Sequence, residues 1–341
     1  MPDIASIIGQ VKAGRHLSRE QTREIFGLIM TGGVEPGTMG EFLTALAAKG
    51  ETVEEITGAA DVMNEKVTRV RCEADCIDTC GTGGDGISTF NVSTTAAIIA
   101  ASAGATVAKH GNRTHTRVSG SAEVIEELGV NLNAPVPVLE RCLRECRIAF
   151  LHAPNLHPAM KYAGPVRKAL RIRTIFNLLG PLTNPAGARR QLLGTPRPDL
   201  TETLAAVLAA RGAAFAWVVH AHNGLCDLTV TGPTQVTEVR DGRFHTFQVH
   251  PEDVGVPVAS LSKLLVNSPF ASANAMRDIF GGRDQGPRRH HALLNSAAAL
   301  LVAGLATDLA SGLKLAAQAV DDGRASRTLD QLVQLSNAGA D

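Results

Sequence analysis

The sequence predicts an α/β protein, with a small N-terminal helical domain joined to a large α/β domain built on a central, mostly parallel sheet. Three observations carry this. The first 66 or so residues show helical apolar spacing with repeated helix-start signals. From about Asp75, strand and helix patterns alternate. The composition, 44% hydrophobic but only 4% aromatic, demands an aliphatic, alanine-rich core that suits close-packed α/β layers better than a β-sandwich. A chain of 341 residues is long enough to bury such a core in one large or two unequal domains.

In the first segment, Ser18 with Gln21, Thr38 with Glu41 and Thr52 with Glu55 match the capping-box spacing. In that box a hydroxyl accepts from an orphan N–H and the residue three positions on reaches back. Apolar residues follow at helical intervals, as in Ile25, Leu28 and Ile29 or Phe42, Leu43 and Leu46. Ile77 then leads through a glycine-rich loop to a helix over 94–103, a strand over 105–108 and a polar loop from His110 to Arg117. This is a βαβ unit, the building block of parallel sheets. A helix over 122–128 stops at Gly129, a favourable residue just past a helix end. Residues 148–151 and 215–221 read as buried strands, and 237–249 as a hairpin turning at Asp241-Gly242. The tail, from about His291 to Ser336, is helical.

Charge and cysteine usage exclude several classes. Lys plus Arg equals Asp plus Glu at 33 each, so no bulk charge argues for nucleic acid or a membrane surface. The local clusters Arg189-Arg190 and Arg288-Arg289 read as solvated loops. The longest apolar stretches, 94–108 and 297–306, are too short to span a bilayer, and the N-terminus lacks a signal-peptide pattern. A cytoplasmic enzyme is therefore expected. No CxxC pair occurs among the six cysteines. Cys72, Cys76 and Cys80 read as one strand face, and Cys142 and Cys146 as one helix face, so all five are expected to be reduced thiols and not metal ligands.

The stretch from Asp78 to Gly86, DTCGTGGDG, is the most informative. Gly81, Gly83 and Gly86 formally satisfy GxGxxG after a strand. A dinucleotide fold would then need an acidic residue about 20 positions on to hold a ribose hydroxyl. Between Ile87 and Ala122 there is no Asp or Glu at all. That stretch carries Lys109, His110, Arg113, His115 and Arg117 instead. Backbone N–H donors and cations without a carboxylate suit phosphate. The GxxxxGK[ST] signature is also absent, so this is no ordinary P-loop.

Taken in order, DTCGTGGDG, FNVSTTAA, AKHGNR, SGSAEVIEELG, HPAM, PVRK and RTIFNLLGPLTNP resemble the motifs of anthranilate phosphoribosyltransferases over nearly the whole chain. Pyrimidine nucleoside phosphorylases share that architecture but lack KHGNR and the HPAM–PVRK pair. The resemblance implies transfer of a phosphoribosyl group from 5-phosphoribosyl 1-diphosphate (PRPP) to the amino group of anthranilate, with magnesium, in a homodimer, as a step of tryptophan biosynthesis. It implies a helical domain of residues 1–70 with a returning segment at about 165–185, and a large domain of 71–164 and 186–341. It places Gly81, Thr82, Gly84, Asp85, Thr89, Asn91, Ser93, Thr94, Lys109 and Ser121 around PRPP. Gly81, His110, Asn112, His157 and Arg167 would line the anthranilate site, with Arg167 gripping the carboxylate through its planar fork. Ser93 and Asp227 would hold magnesium.

Three departures accompany the resemblance. The family's Gly-Leu-Asp-Glu reads Gly224-Leu225-Cys226-Asp227 here, so one carboxylate of its two-magnesium pair is a thiol and the other is shorter. A Ser-Ser-Lys-Ser-type loop reads Thr116-Arg117-Val118-Ser119. His152 and Leu156 are expected near the aromatic pocket, where they would alter its shape. Two other readings therefore stay open: a paralogue acting on another aromatic amine or acid, and a catalytically weak homologue that binds phosphorylated ligands.

Overall fold

The computed structural model describes residues 4–114 and 117–339; His115 and Thr116 lie outside them. Four helices open the chain: α1 (Ile4–Lys12), α2 (Arg19–Ile29), α3 (Pro36–Lys49) and α4 (Val53–Glu65). The capping boxes at Ser18 and Thr52 form as the sequence requires. The one expected at Thr38 does not. Helix α3 starts three residues earlier than a cap at Thr38 would place it, because Pro36 supplies a pre-set φ at the first helical position and has no N–H to orphan. Glu35 is the cap, accepting from the N–H groups of Gly37 (2.8 Å) and Thr38 (3.2 Å).

A βαβ order follows: β1 (Cys76–Gly81), α5 (Val92–Ser102), β2 (Thr106–Gly111), α6 (Ser121–Glu127), α7 (Val136–Glu145) and β3 (Ile148–His152). The chain then crosses back through α8 (Ala153–Leu156), α9 (Met160–Leu170) and α10 (Phe176–Leu179) to β4 (Arg190–Gly194). After α11 (Leu200–Ala210) come β5 (Phe215–Ala221), β6 (Thr234–Arg240) and β7 (Arg243–Val249). The helices α12 (Pro269–Phe280), α13 (Pro287–Val302), α14 (Leu309–Asp321) and α15 (Arg324–Asn337) close the fold.

The seven strands form one sheet in the order β3-β2-β1-β4-β5-β6-β7. Five are parallel, and β6 and β7 are antiparallel at one edge. Asp241 (φ 51°) and Gly242 (φ 73°) make the two-residue turn between them, as Asp-Gly favours. Helix α5 is buried on almost every side, which its alanine-rich sequence permits. A second apolar core unites α1–α4 with residues 163–182, so α9 and α10 pack on the N-terminal helices and not on the helices that cover β1–β3. Among the described residues no helix is long and apolar enough to cross a membrane.

Several expectations need correcting. Strand β4 starts at Arg190, where the sequence suggests a solvated loop; its guanidinium bonds Asp75 Oδ2 (2.6 Å) and the Val302 carbonyl. Arg289 lies in the first turn of α13 and is buried, with Nη2 donating to both oxygens of Asp321 at 2.8 and 3.0 Å. Cys72 precedes β1 and is not part of the strand, though its thiol, which donates to the Ala74 carbonyl at 3.3 Å, also meets that of Cys76.

Candidate active site

Strand β1 is where the winding reverses: β2 and β3 lie on one side of it and β4 and β5 on the other. In open α/β sheets ligands bind outside the carboxyl ends of the strands at such a point. A cavity of about 600 Å³ lies there, walled by the loops that leave β1, β2, β3 and β5 and by residues 160–183. The loop after β1 turns on Gly83, Gly84 and Gly86, all at positive φ, where a Cβ would strain the backbone. Gly194, at the end of β4, is required for a different reason. A Cβ there would sit 1.6 Å from the Cys226 carbonyl oxygen, so only glycine lets the 224–227 loop reach β1.

Of the residues singled out around PRPP, Gly81, Thr82, Gly84, Asn91, Ser93, Lys109 and Ser121 line this cavity. Asp85, Thr89 and Thr94 do not. Thr89 and Thr94 are buried beneath it, their hydroxyl oxygens without a hydrogen-bond partner among the described residues. Asp85 points into an ion pair with Arg117. Asn91 caps α5 by accepting from the Thr94 N–H at 3.0 Å. Lys109 is 2% exposed; its ammonium donates to the Thr79 carbonyl and, at 3.4 Å, to Ser93 Oγ. Burial lowers its pKa, with Asp78 acting against that shift. No carboxylate lies within ion-pairing distance of it among the described residues. A buried ammonium so placed beside a loop of backbone donors is suited to a phosphate.

The residues assigned to an acceptor lie in the same cavity: His110, Asn112, His157 and Arg167. Nδ1 of His110 lies 3.0 Å from the Gly180 carbonyl and must carry the proton, because a carbonyl only accepts. Its Nε2 faces His157 Nε2 at 3.1 Å, and the His157 ring also meets the Thr183 backbone carbonyl. Burial lowers these pKa values to about 3 for His110 and about 4 for His157, which keeps the pair neutral near pH 7. Arg167 stacks over the Phe176 ring at 5.2 Å and meets no carboxylate among the described residues. Burial lowers its pKa as well. A half-buried guanidinium on an aromatic face, facing a cavity, is a ready partner for an anionic ring substituent.

Neither His152 nor Leu156 lines the cavity itself, though His152 lies within electrostatic range of His110. Leu156 belongs to the main core, and both ring nitrogens of His152 are buried without a partner among the described residues. Sequence reasoning also passes over Arg173, which lines the cavity and donates to the Gly83 carbonyl at 3.3 Å. It misses the role of Asp78 too. That fully buried carboxylate accepts from the His110 N–H (3.1 Å) and from Asn184 (2.8 Å), tying β1 to β2 beneath the site. An acidic residue inside an apolar strand is the signal that could have found it.

Magnesium can be tested against the donors present. Asp227 lines the cavity and is buried, and that burial raises its pKa to about 7. Ser93 lines the same cavity. Asp85 is already committed to Arg117, and Cys226 offers a buried thiol whose pKa burial pushes far up. No group of three or more His, Cys, Asp or Glu side chains could hold an ion among the described residues. Magnesium commonly binds through one or two carboxylates plus substrate phosphates. Asp227 and Ser93 fit one such ion, and the set does not fit a two-ion cage.

Comparison with known proteins identifies the family and the fold. The model described as "Glycosyl transferase family, a/b domain" matches residues 73–326, and that of the family's helical bundle domain matches residues 5–67. Anthranilate phosphoribosyltransferase of Anaeromyxobacter sp. (strain K) is 49% identical over 338 residues, 99% of this chain and 100% of that protein. The crystal structure of the Thermus thermophilus anthranilate phosphoribosyltransferase superposes with a TM-score of 0.92 at 36% identity, covering 97% of this chain and 99% of that one. The Saccharomyces cerevisiae enzyme in complex with PRPP and Mg gives 0.88 at 27% identity, covering 98% and 97%.

Proposed function

The chain belongs to the anthranilate phosphoribosyltransferase family, and from that premise we propose that it transfers the phosphoribosyl group of PRPP to the amino group of anthranilate, releasing diphosphate. The observation that carries this reading is that one cavity holds two cations of different kinds, neither paired with a carboxylate among the described residues. Lys109 is a buried point charge beside the β1 loop, and Arg167 is a planar fork stacked on an aromatic ring.

In the reaction the arylamine nitrogen bonds to C1 of the ribose, the bond from C1 to the diphosphate oxygen breaks, and the nitrogen loses its proton. Lys109 and the N–H groups of the β1 loop hold the leaving group as its negative charge grows. Arg167 fixes the acceptor through its carboxylate, so that the amine is presented to C1; positioning is the larger contribution. The neutral His110–His157 pair adds no positive charge near the forming ribosyl cation. When bound through Asp227 and Ser93, magnesium supplies further charge neutralisation to the diphosphate.

The homodimer of the resemblance has a natural face. An apolar groove runs between α1, α3 and α9, floored by Gly37, Gly40, Ala45, Ala48 and Val166, and we assign the subunit contact to it. We further propose the division into residues 1–70 with 165–185 and the remainder, which the packing of α9 on α3 and of α10 on α4 supports, while the second apolar core continues into α11 and the sheet. The test of the activity is incubation of the purified protein with PRPP, magnesium and a panel of aromatic amines and acids, read by mass spectrometry. The phosphoribosyl adduct of anthranilate should dominate. An adduct of another acceptor with none of anthranilate would favour the paralogue, and no adduct at all the weak binding homologue.

A further inference from the structure

Arg117 stands where the cavity's acidic donors converge. Its Nε and Nη2 donate to the two oxygens of Asp85, whose side chain is fully buried, while the Arg117 side chain is 18% exposed and lines the cavity. Asp85 is held from two further directions, accepting from the Ile87 N–H at 3.2 Å and the Cys226 N–H at 3.4 Å. One carboxylate thus pins the guanidinium between the β1 loop and the 224–227 loop. Asp227 and Cys226 both lie within electrostatic range of it. The third nitrogen, Nη1, makes no hydrogen bond among the described residues, which leaves two N–H donors for a ligand.

We propose that Arg117 is a built-in cation of the diphosphate subsite, standing in for one of the two magnesium ions that an acidic pair would hold, so that PRPP binds here with a single divalent ion. This rests on the phosphoribosyl-transfer reading above. Two departures from the family's pattern then explain each other. Cys226 removes a negative charge from the site, and the 116–119 loop carries its one cation at the second position in place of the third, where Asp85 holds it against the cavity. With Asp85 occupied, a second magnesium ion would have only Asp227 to share and a fixed guanidinium for a neighbour. A guanidinium is also the better replacement, because it stays charged at working pH and its fork matches phosphate oxygens. Asp85 is in this view a positioning residue, since it touches Arg117 and not the ligand.

The test uses the full-length protein with PRPP and manganese as a countable stand-in for magnesium. Electron paramagnetic resonance counts ions bound per active site at saturating PRPP, and calorimetry gives PRPP affinity for the wild type, Arg117→Ser and Arg117→Lys. The expected count is one ion in the wild type. Arg117→Ser should weaken PRPP by at least roughly tenfold, as loss of a charged hydrogen-bond donor does. Arg117→Lys should recover part of that, which shows that charge and not folding is at issue. Two ions in the wild type, or PRPP affinity in Arg117→Ser unchanged or tighter, overturns the assignment while leaving phosphoribosyl transfer intact. Failure of the wild type to bind PRPP with any amount of manganese overturns the underlying function, and this inference with it.

Discussion

Replacing Arg167 tests the acceptor clamp. The guanidinium lies over Phe176 with a centroid distance of 5.2 Å and has no carboxylate partner among the described residues, so removing it leaves no buried anion stranded. The effect of Arg167→Ala on binding therefore reflects the ligand and not a broken internal pair. A charge-assisted hydrogen bond contributes about 1.5–3 kcal/mol net, and a two-point grip on one carboxylate belongs at the upper end. About 3 kcal/mol corresponds to a loss of roughly 150-fold in acceptor affinity. Arg167→Lys keeps the charge but loses the fork and much of the stacking, and should forfeit at least roughly tenfold. Initial rates against anthranilate at saturating PRPP, and against PRPP at saturating anthranilate, separate the two sites. The acceptor KM should rise in both variants while the PRPP KM stays within about twofold. An unchanged acceptor KM in Arg167→Ala, or a rise confined to PRPP, would show that another cation holds the carboxylate.

Other variants address the remaining parts of the site and fold. Lys109→Met should raise the PRPP KM by roughly tenfold or more and leave the anthranilate KM almost unmoved; the same two-substrate kinetics read it. Gly194→Ala should cut turnover sharply with the protein still folded by circular dichroism, because the new Cβ would meet the Cys226 carbonyl oxygen. His291 is fully buried, packed edge-on to Phe90 with no partner for either nitrogen among the described residues, and burial lowers its pKa from 6.5 to about 3. The unfolded state then binds the extra proton first, so the stability His291 allows is present above pH 6.5 and is lost as pH falls towards about 3. At pH 5 that loss is about 2 kcal/mol relative to pH 8. Urea unfolding should show His291→Leu spared this amount, and equal acid losses in both proteins would contradict it. Ala48→Glu, on the groove formed with α1 and α9, should give a monomer by light scattering if that face joins the subunits.

The parts of the fold that were legible are those set by local chemistry. Ser18 and Thr52 cap helices because each has its Gln or Glu three residues on, and Asp241-Gly242 turns a hairpin because both residues accept positive φ. Thr38 misled because Pro36 two residues earlier sets the helix start more strongly. Strand β4 stayed hidden because its five residues open with an arginine. That charge is tolerable only because Asp75 and the Val302 carbonyl, distant in sequence, await it. The same limit applies in the site. The shared role of Lys109, Ser93 and the glycine loop could be read because each lies in a motif of the βαβ unit, whose topology brings the ends of β1 and β2 together. The Arg117–Asp85 pair joins residues 32 positions apart, and the His110–His157 pair residues 47 apart, so only the assembled sheet brings them together. His152 ends β3 close to His110 but does not itself line the cavity, its ring lying against that of Phe150.

The central claim is that this cavity couples cleavage of PRPP to capture of an anthranilate amine. Diphosphate release measured with magnesium and PRPP, with and without anthranilate, tests it most directly. The account predicts release that depends on anthranilate and matches its consumption mole for mole. Release that proceeds at the same rate without anthranilate, or none with either, would contradict it.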